Sequence, residues 1–385
     1  LCEEVHLNLA YRWFCRLDLT VSVPDHSTFS KNRHGRFRDS ELLRHLFETV
    51  VARCIAEGLV GGERFAVDAS LIHADANKQN STPKADWEPG NIDPSDAPRA
   101  VREYLDTLDD AAFGAASDVK PKFTSHSDPA AQWTGAMKGH AFFAYADNYL
   151  IDTDHAVIVD VEPSRAIRQA EVGAARTMID RTIDRFGLYP ERLIADSAYG
   201  SGPMLEWLVE DRGIEPHIPV FDKSKRVDGT FERADFTYDL ASDTYTCPAG
   251  KTLRQRQRVY KTPRPLVDEN GMMRYRASKF DCESCLLKCR CCPNQSARKI
   301  LRSVHEGARD MAREIAETDE YEISSKLRKK VEMLFAHLKR ILGLGRLRLR
   351  GPTGARDEFH LAATAQNLRK LAKMVPMPTD KPEPV

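Results

Sequence analysis

The chain has 385 residues, 42% hydrophobic and 30% charged, and 57 Lys+Arg balance 57 Asp+Glu to a formal net charge of zero. A sizeable core is therefore available and disorder is not the default. No apolar run reaches the roughly 18 residues of a membrane span, and the opening Leu1-Cys-Glu-Glu-Val-His has no signal-peptide layout, so the expectation is a soluble, cytoplasmic protein.

Residues 1–60 read as helical. Val5, Leu7, Leu9, Trp13 and Phe14 carry the first apolar pattern, Asp25 or Ser27 suits a helix cap, and Asp39-Ser40-Glu41 precedes Leu42, Leu43, Leu46, Phe47, Val50, Val51 and Ile55 at helical spacing. The chain opens inside a helix and without Met, which leads us to expect a lost N-terminal piece, through truncation or a disrupted reading frame. Arg64 to Ile72 then reads as a buried strand. A polar, acidic, Pro-rich insertion follows, about 78–135, with one helix near Ala97 to Leu108.

Ala141 to Leu150 and Ala156 to Val161 read as strands. A helix from about Gln169 to Phe186, a short strand Arg192 to Asp196, a helix Pro203 to Asp211 and a strand His217 to Val220 complete a mixed α/β series. Residues 222–320 carry short alternating runs, turns and six cysteines, with helix resuming near Val304. Ser324 to Ile341 is a strongly patterned helix, Arg346 to Gly351 a basic connector, Phe359 to Met374 a last helix, and 375–385 a flexible tail.

The neutral total hides segregation. Between Ala85 and Asp118 there are nine acidic residues and two basic ones, while between Tyr321 and Gly351 there are nine basic and two acidic. Such a cationic stretch is an electrostatic footprint for phosphate, although a solvated helix face has the same composition.

Three carboxylates stand out. Asp68 sits mid-strand among apolar and small residues, where a charge must pair or bind metal. Asp196 ends a short strand just before Ser197-Ala-Tyr-Gly200-Ser-Gly202, at the kind of strand end where ligands gather. Glu332 falls within about 40° of Arg328 and Lys339 on the helix, beside an apolar stripe of Val331, Leu334, Phe335, Leu338 and Leu342. Three acids without His suit hard cations, and two Mg²⁺ (or Mn²⁺) ions can activate an attacking oxygen and stabilise a leaving one in phosphodiester chemistry. Lys329, Lys330, Arg346 and Arg348 join Arg328 and Lys339 as candidate DNA contacts.

These residues resemble the DDE transposases of bacterial insertion sequences. Asn8-Leu-Ala-Tyr-Arg-Trp-Phe and Val23 to Ser30 look like the segment leading into the catalytic domain. Val67-Asp-Ala-Ser-Leu-Ile-His-Ala-Asp-Ala-Asn77 looks like the first-aspartate strand, Leu193 to Gly200 the second motif, and Arg328 to Lys339 the third. The third motif departs from the pattern, with Ser325 at the position of a Tyr and Tyr321 one turn earlier. Asp75 is a rival to Asp68 but lies beyond the apolar strand.

The resemblance implies a ribonuclease H-like mixed sheet flanked by helices, formed by 61–221 and 321–374, with a first Asp on the opening strand, a second after the fourth and a Glu on a late helix. It further implies a bacterial, nucleoid-associated transposase that cleaves at the terminal inverted repeats and joins the ends to target DNA, as a homodimer on double-stranded DNA. An inactive DNA-binding remnant and a nuclease of the same fold are the alternatives.

Cys2, Cys15 and Cys54 sit among apolar neighbours and are expected in the core. Cys247, Cys282, Cys285, Cys289, Cys291 and Cys292 cluster instead. Cys282 and Cys285 with Cys247 and Cys291 have the character of a structural zinc site; free thiols remain the alternative. The basic stretch Lys251 to Arg264 beside them is a further candidate DNA contact.

Overall fold

The computed structural model describes residues 2–35, 37, 40–106, 122–135, 139–221, 228–255, 265–269 and 271–375. The sequence-predicted tail and most of the basic stretch 251–264 lie outside them. Four helices come first: α1 (Cys2–Leu7), α2 (Leu9–Phe14), α3 (His26–His34) and α4 (Leu42–Ala56). Asp25 caps α3, its Oδ1 accepting from the Thr28 N–H at 2.8 Å. α4 buries Phe47, Val50, Val51 and Cys54. Of the three cysteines expected in the core, only Cys54 is buried; Cys2 is half-buried and Cys15 exposed. The first two helices cover little of their own apolar surface, leaving Leu7, Leu9, Trp13 and Phe14 exposed.

The main sheet begins with β1 (Arg64–His73). A small ribbon of β2 (Ser81–Pro83) and β3 (Phe123–Ser125), with α5 (Arg99–Asp106) between them in sequence, occupies the acidic insertion. Then come β4 (Gln132–Thr134), β5 (Phe142–Asp152), β6 (Val157–Arg165), α6 (Arg168–Phe186), β7 (Arg192–Ile194), α7 (Gly202–Glu206) and β8 (Glu215–His217). The sheet order is β4-β5-β1-β7-β8, with β6 also on β5. β4 and β6 share one edge of β5 end to end. β5 is antiparallel to β1, whereas β7 and β8 run parallel to it.

A second sheet, order β13-β12-β11-β10-β9, is wholly antiparallel. It comprises β9 (Thr237–Asp239), β10 (Thr244–Thr246), β11 (Thr252–Gln255), β12 (Met272–Arg276) and β13 (Lys299–Ser303), with the short helices α8 (Lys279–Glu283) and α9 (Lys288–Cys291) in the β12–β13 connection. After it, α10 (Glu306–Ile315) returns to the main sheet, placing Ala308 and Ala312 in its core. The chain ends in α11 (Asp319–Arg340) and α12 (Gly351–Met374).

Both closing helices start earlier than their apolar pattern suggests. α11 is capped by Thr318 and carries Asp319, Glu320 and Glu322 in its first turn, where acids favour a helix N-terminus. α12 has Pro352 in its first turn, where the missing N–H costs nothing.

Residues alternate across β1 and so face two different cores. Phe65 and Val67 pack with Ala175, Met178 and Ile179 of α6. Ala66 and Ile72 pack with Val331, Phe335 and Leu338 of α11. This mixed α/β architecture, a mixed sheet flanked by helices, is compatible with the ribonuclease H-like fold that the resemblance implies. Among the described residues no helix is long and apolar enough to cross a membrane.

Candidate active site

Alternation on β1 puts Asp68 on the face that α11 covers. Across the sheet it pairs with Tyr149, whose ring stacks on Phe335 of α11 at 4.6 Å between centroids. On the other side Ala66 is level with Ile194 of β7. Continued by two residues, that parallel register brings Asp196 beside Asp68, on strands about 5 Å apart. Counted without the short edge strand β4, β7 is the fourth strand.

Asp196 is shaped by the turn that follows it. Its Oδ1 accepts from the Ala198 N–H at 2.7 Å, an Asx-type turn. Gly200 is required two residues on, because a Cβ there would stand 2.0 Å from the Pro219 carbonyl oxygen. That close approach lets Phe221 N–H donate to the Gly200 carbonyl at 2.8 Å.

Glu332 lies half-exposed on α11, with Oε1 3.0 Å from Nη2 of Arg328. The three acids feel one another. Burial pushes the Asp68 carboxyl up to about 6; the Ala69 N–H, bonded to Oδ1 at 2.8 Å, opposes this, Asp196 raises it further, Arg328 lowers it and Glu332 raises it. The site therefore carries more negative charge than Arg328 offsets.

Three further groups belong to this neighbourhood. Glu171, in the first turn of α6, is pushed up to about 7 by burial, then by Asp68 and Asp196, with Arg168 opposing. Tyr199 is buried, its hydroxyl has no hydrogen-bond partner, and Asp68, Glu171 and Asp196 add to burial in raising it. Asp147, opposite Ser70 on β5, is fully buried; burial pushes its carboxyl well above the usual carboxylate range, against the pull of Tyr149 and Lys339. A mid-strand carboxylate among apolar residues was the signal that selected Asp68, and Asp147 carries it equally. Glu171 has no such signal, because an acid in a helix's first turn is ordinary.

The predicted cations separate into groups. Arg328 and Lys339 share the Glu332 side of α11, and Lys339 is close enough to Asp147 to be influenced by it. Lys329 is exposed and lies about 100° away around the helix. Lys330 is turned further and donates to the Thr153 and Asp154 carbonyls at 2.5 and 3.1 Å. Arg346 pairs with Asp75 at 3.0 Å, and Arg350 holds the same carboxylate at 2.8 Å, so the rival acid is occupied by two arginines. Arg348 is exposed in the connector. Tyr321 is hydrogen-bonded to Ser325 and lies within the field of Arg328.

Cys247, Cys282, Cys285 and Cys291 all line one cavity of about 20 Å³ beside the second sheet, and Cys292 lines it too. Cys289 is exposed. Burial pushes the Cys291 thiol up to about 12. Among the described residues, no three His, Cys, Asp or Glu side chains stand together closely enough to hold a metal on their own, at either place.

Residues 246–372 match the family described as Transposase DDE domain, a span that includes Glu332 and the cysteines. Residues 1–35 match the family described as Transposase domain (DUF772). No curated protein and no solved structure matches the chain. The two family matches lie at opposite ends of the chain, and together they support a DDE transposase of the insertion-sequence type.

Proposed function

We propose that this chain performs the DNA cleavage and strand-transfer steps of transposition, with Asp68, Asp196 and Glu332 as the catalytic acids. The observation that carries the reading is geometric: the β1–β7 register sets Asp196 beside Asp68, and α11 covers that face with Glu332 paired to Arg328, all three of which act on the buried Asp68 carboxyl. Hydrolysis at the transposon end frees a 3′-OH, and that hydroxyl then attacks a phosphodiester of target DNA at the same site.

The chemistry of the donor set suits two divalent ions, although the three carboxylates must draw closer than they stand here to hold them. Carboxylate oxygens are what Mg²⁺ or Mn²⁺ prefers, and Mg²⁺ characteristically takes only a few of them, with substrate phosphate and waters completing the shell. Burial raises the Asp68 carboxyl and Asp196 and Glu332 add to the rise, while the nearby Tyr199 hydroxyl is buried without a hydrogen-bond partner. Bound there, the ions supply activation of the attacking oxygen and stabilisation of the leaving one. Arg328 and Lys339 hold the DNA phosphates beside the acids, with Lys329, Arg346 and Arg348 contacting backbone further out. A homodimer on DNA follows from the need to handle two transposon ends.

We propose that the cysteine cavity takes a structural Zn²⁺ held by Cys247, Cys282, Cys285 and Cys291, whose side chains must draw closer than they stand here to hold it. Support comes from their common cavity and from the four-thiolate preference of structural zinc.

A strand-transfer assay tests the main reading, using DNA ending in the sequences that flank this gene, in Mg²⁺ or Mn²⁺. Joined products are expected from the wild-type chain. Glu332→Gln should reduce them on the order of 10²–10³-fold or more, the scale of losing a preorganised charged group, with little change in thermal stability because the side chain is half-exposed. Cleavage without joining would favour a nuclease of the same fold. An inactive wild type that still binds DNA would favour a decayed remnant.

A further inference from the structure

α11 has three faces rather than two. Val331, Phe335 and Leu338 are buried in the main core, and Arg328, Glu332 and Lys339 form the acid-bearing edge. The remaining side, about 100–200° around the helix from Arg328, carries Lys329, Lys330, Met333 and His337. These four line a groove of about 650 Å³ together with Arg369, Lys370 and Lys373 of α12 and the β5–β6 turn at Asp154–Ala156.

The groove is crowded with positive charge. Lys329, Arg369 and Lys373 are exposed. Lys330 and Lys370 are drawn in to donate to the carbonyls of Thr153, Asp154 and His155. The lining contains one carboxylate, Asp154, which is already paired with Arg64 at 2.6 Å. The cations act on one another: after burial, Lys330 and Lys373 lower the proton affinity of Lys370, and Arg369, Lys373 and Lys370 lower that of His337. Nε2 of His337 is buried without a hydrogen-bond partner. Five like charges held around one depression cost free energy in the isolated protein, and an anion entering it relieves that cost.

We infer that this α11–α12 groove is a second DNA-binding surface, which takes the phosphate backbone of duplex DNA away from the scissile bond. Its lining of Lys and Arg with no uncommitted acid is the chemistry that neutralises successive phosphates. Most of its α11 residues lie about 100–160° around the helix from Glu332, so it holds a stretch of the duplex other than the strand being cut. The inference rests on the reading of the chain as a DNA transposase.

The test is DNA binding by the full chain as a function of salt, on a duplex long enough to extend beyond the transposon end. Lys329→Gln, Arg369→Gln and Lys373→Gln would be made singly and together, leaving Lys330 and Lys370 to hold the turn. Each substitution should lower the slope of log affinity against log salt by about one, and the triple variant by about three, with weakening that does not depend on sequence. Thermal melts would confirm that the triple variant is folded. Wild-type affinity and slope in a folded triple variant would overturn the groove proposal while leaving the transposase reading intact. Loss of self-association with an unchanged slope would overturn it in favour of a second copy of the chain. Absence of salt-dependent binding by the wild-type protein would instead count against the transposase reading itself.

Discussion

The six-stranded and five-stranded sheets of this chain are held together by different means. The first is covered on both faces, with α6 against Phe65 and Val67 and α11 against Ala66 and Ile72. The second has a smaller core around Tyr245, Leu253, Tyr275 and Ile300, in which Cys282, Cys291 and Cys292 take part. A sheet with two apolar faces can carry uncompensated acids and remain folded. A sheet with one modest core gains from a staple, and clustered thiols are a means of providing one. On the proposed reading, charge marks chemistry in the first sheet and cysteine marks stability in the second.

Removing metal is the sharpest way to break this contrast. With a structural zinc in place, a chelator or Cys282→Ser should open the second sheet, because binding free energy at such sites is folding free energy of several kcal/mol or more. Limited proteolysis should then cut within 228–303 while α11 and the main sheet stay protected, and elemental analysis of the untreated protein should find about one zinc per chain. Equal resistance with and without chelator would mean free thiols.

The next effect is in the main sheet. Phe335 stacks on Tyr149 and is almost fully buried, so Phe335→Ala should cost about 3–5 kcal/mol. Because α11 also carries Glu332, strand transfer should fall with it, whereas the chelator sensitivity of the second sheet should not change. Denaturant unfolding followed separately in the two regions measures this.

The smallest effect concerns protons. The Asp68 and Glu171 carboxyls stand at about 6 and about 7 in the folded protein, above the ordinary value near 4. The folded state therefore holds these protons more tightly than the unfolded chain. Their contribution to stability is full below about pH 4 and is lost as pH rises through 6 to 7, on the order of 2 kcal/mol per group. In divalent-free buffer the melting temperature should fall over that window, and Mg²⁺ should restore it at the alkaline end. Asp68→Asn should flatten the slope and weaken the Mg²⁺ effect. An identical pH profile in wild type and variant would show that the Asp68 carboxyl is not raised by its surroundings.

Much of this was legible in the sequence, for reasons that differ by residue. The strand bearing Asp68 announced itself through Phe65-Ala-Val67, and α11 through a stripe whose spacing also fixed the relative positions of Arg328, Glu332 and Lys339. The start of α11 was less visible, since Asp319 to Glu322 carry no apolar period and are held by a cap and a dipole instead. The bonds of Lys330 to the Thr153 and Asp154 carbonyls were not legible, because a charge on a helix gives no hint of the carbonyls it will meet. That Arg346 and Arg350 close on Asp75 depends on residues some 270 positions apart in the chain, which no local pattern encodes. The third face of α11 stayed hidden because its other wall belongs to α12.

Gly200 carries a mechanical consequence. Its carbonyl is bonded to Phe221, the residue from which the chain leaves toward the second sheet, and its missing side chain is what permits that contact. The loop bearing Asp196 is thereby tethered to the root of the cysteine-bearing region. A pull on that region would reach the tether four residues from Asp196, and one added methyl at residue 200 would cut the line.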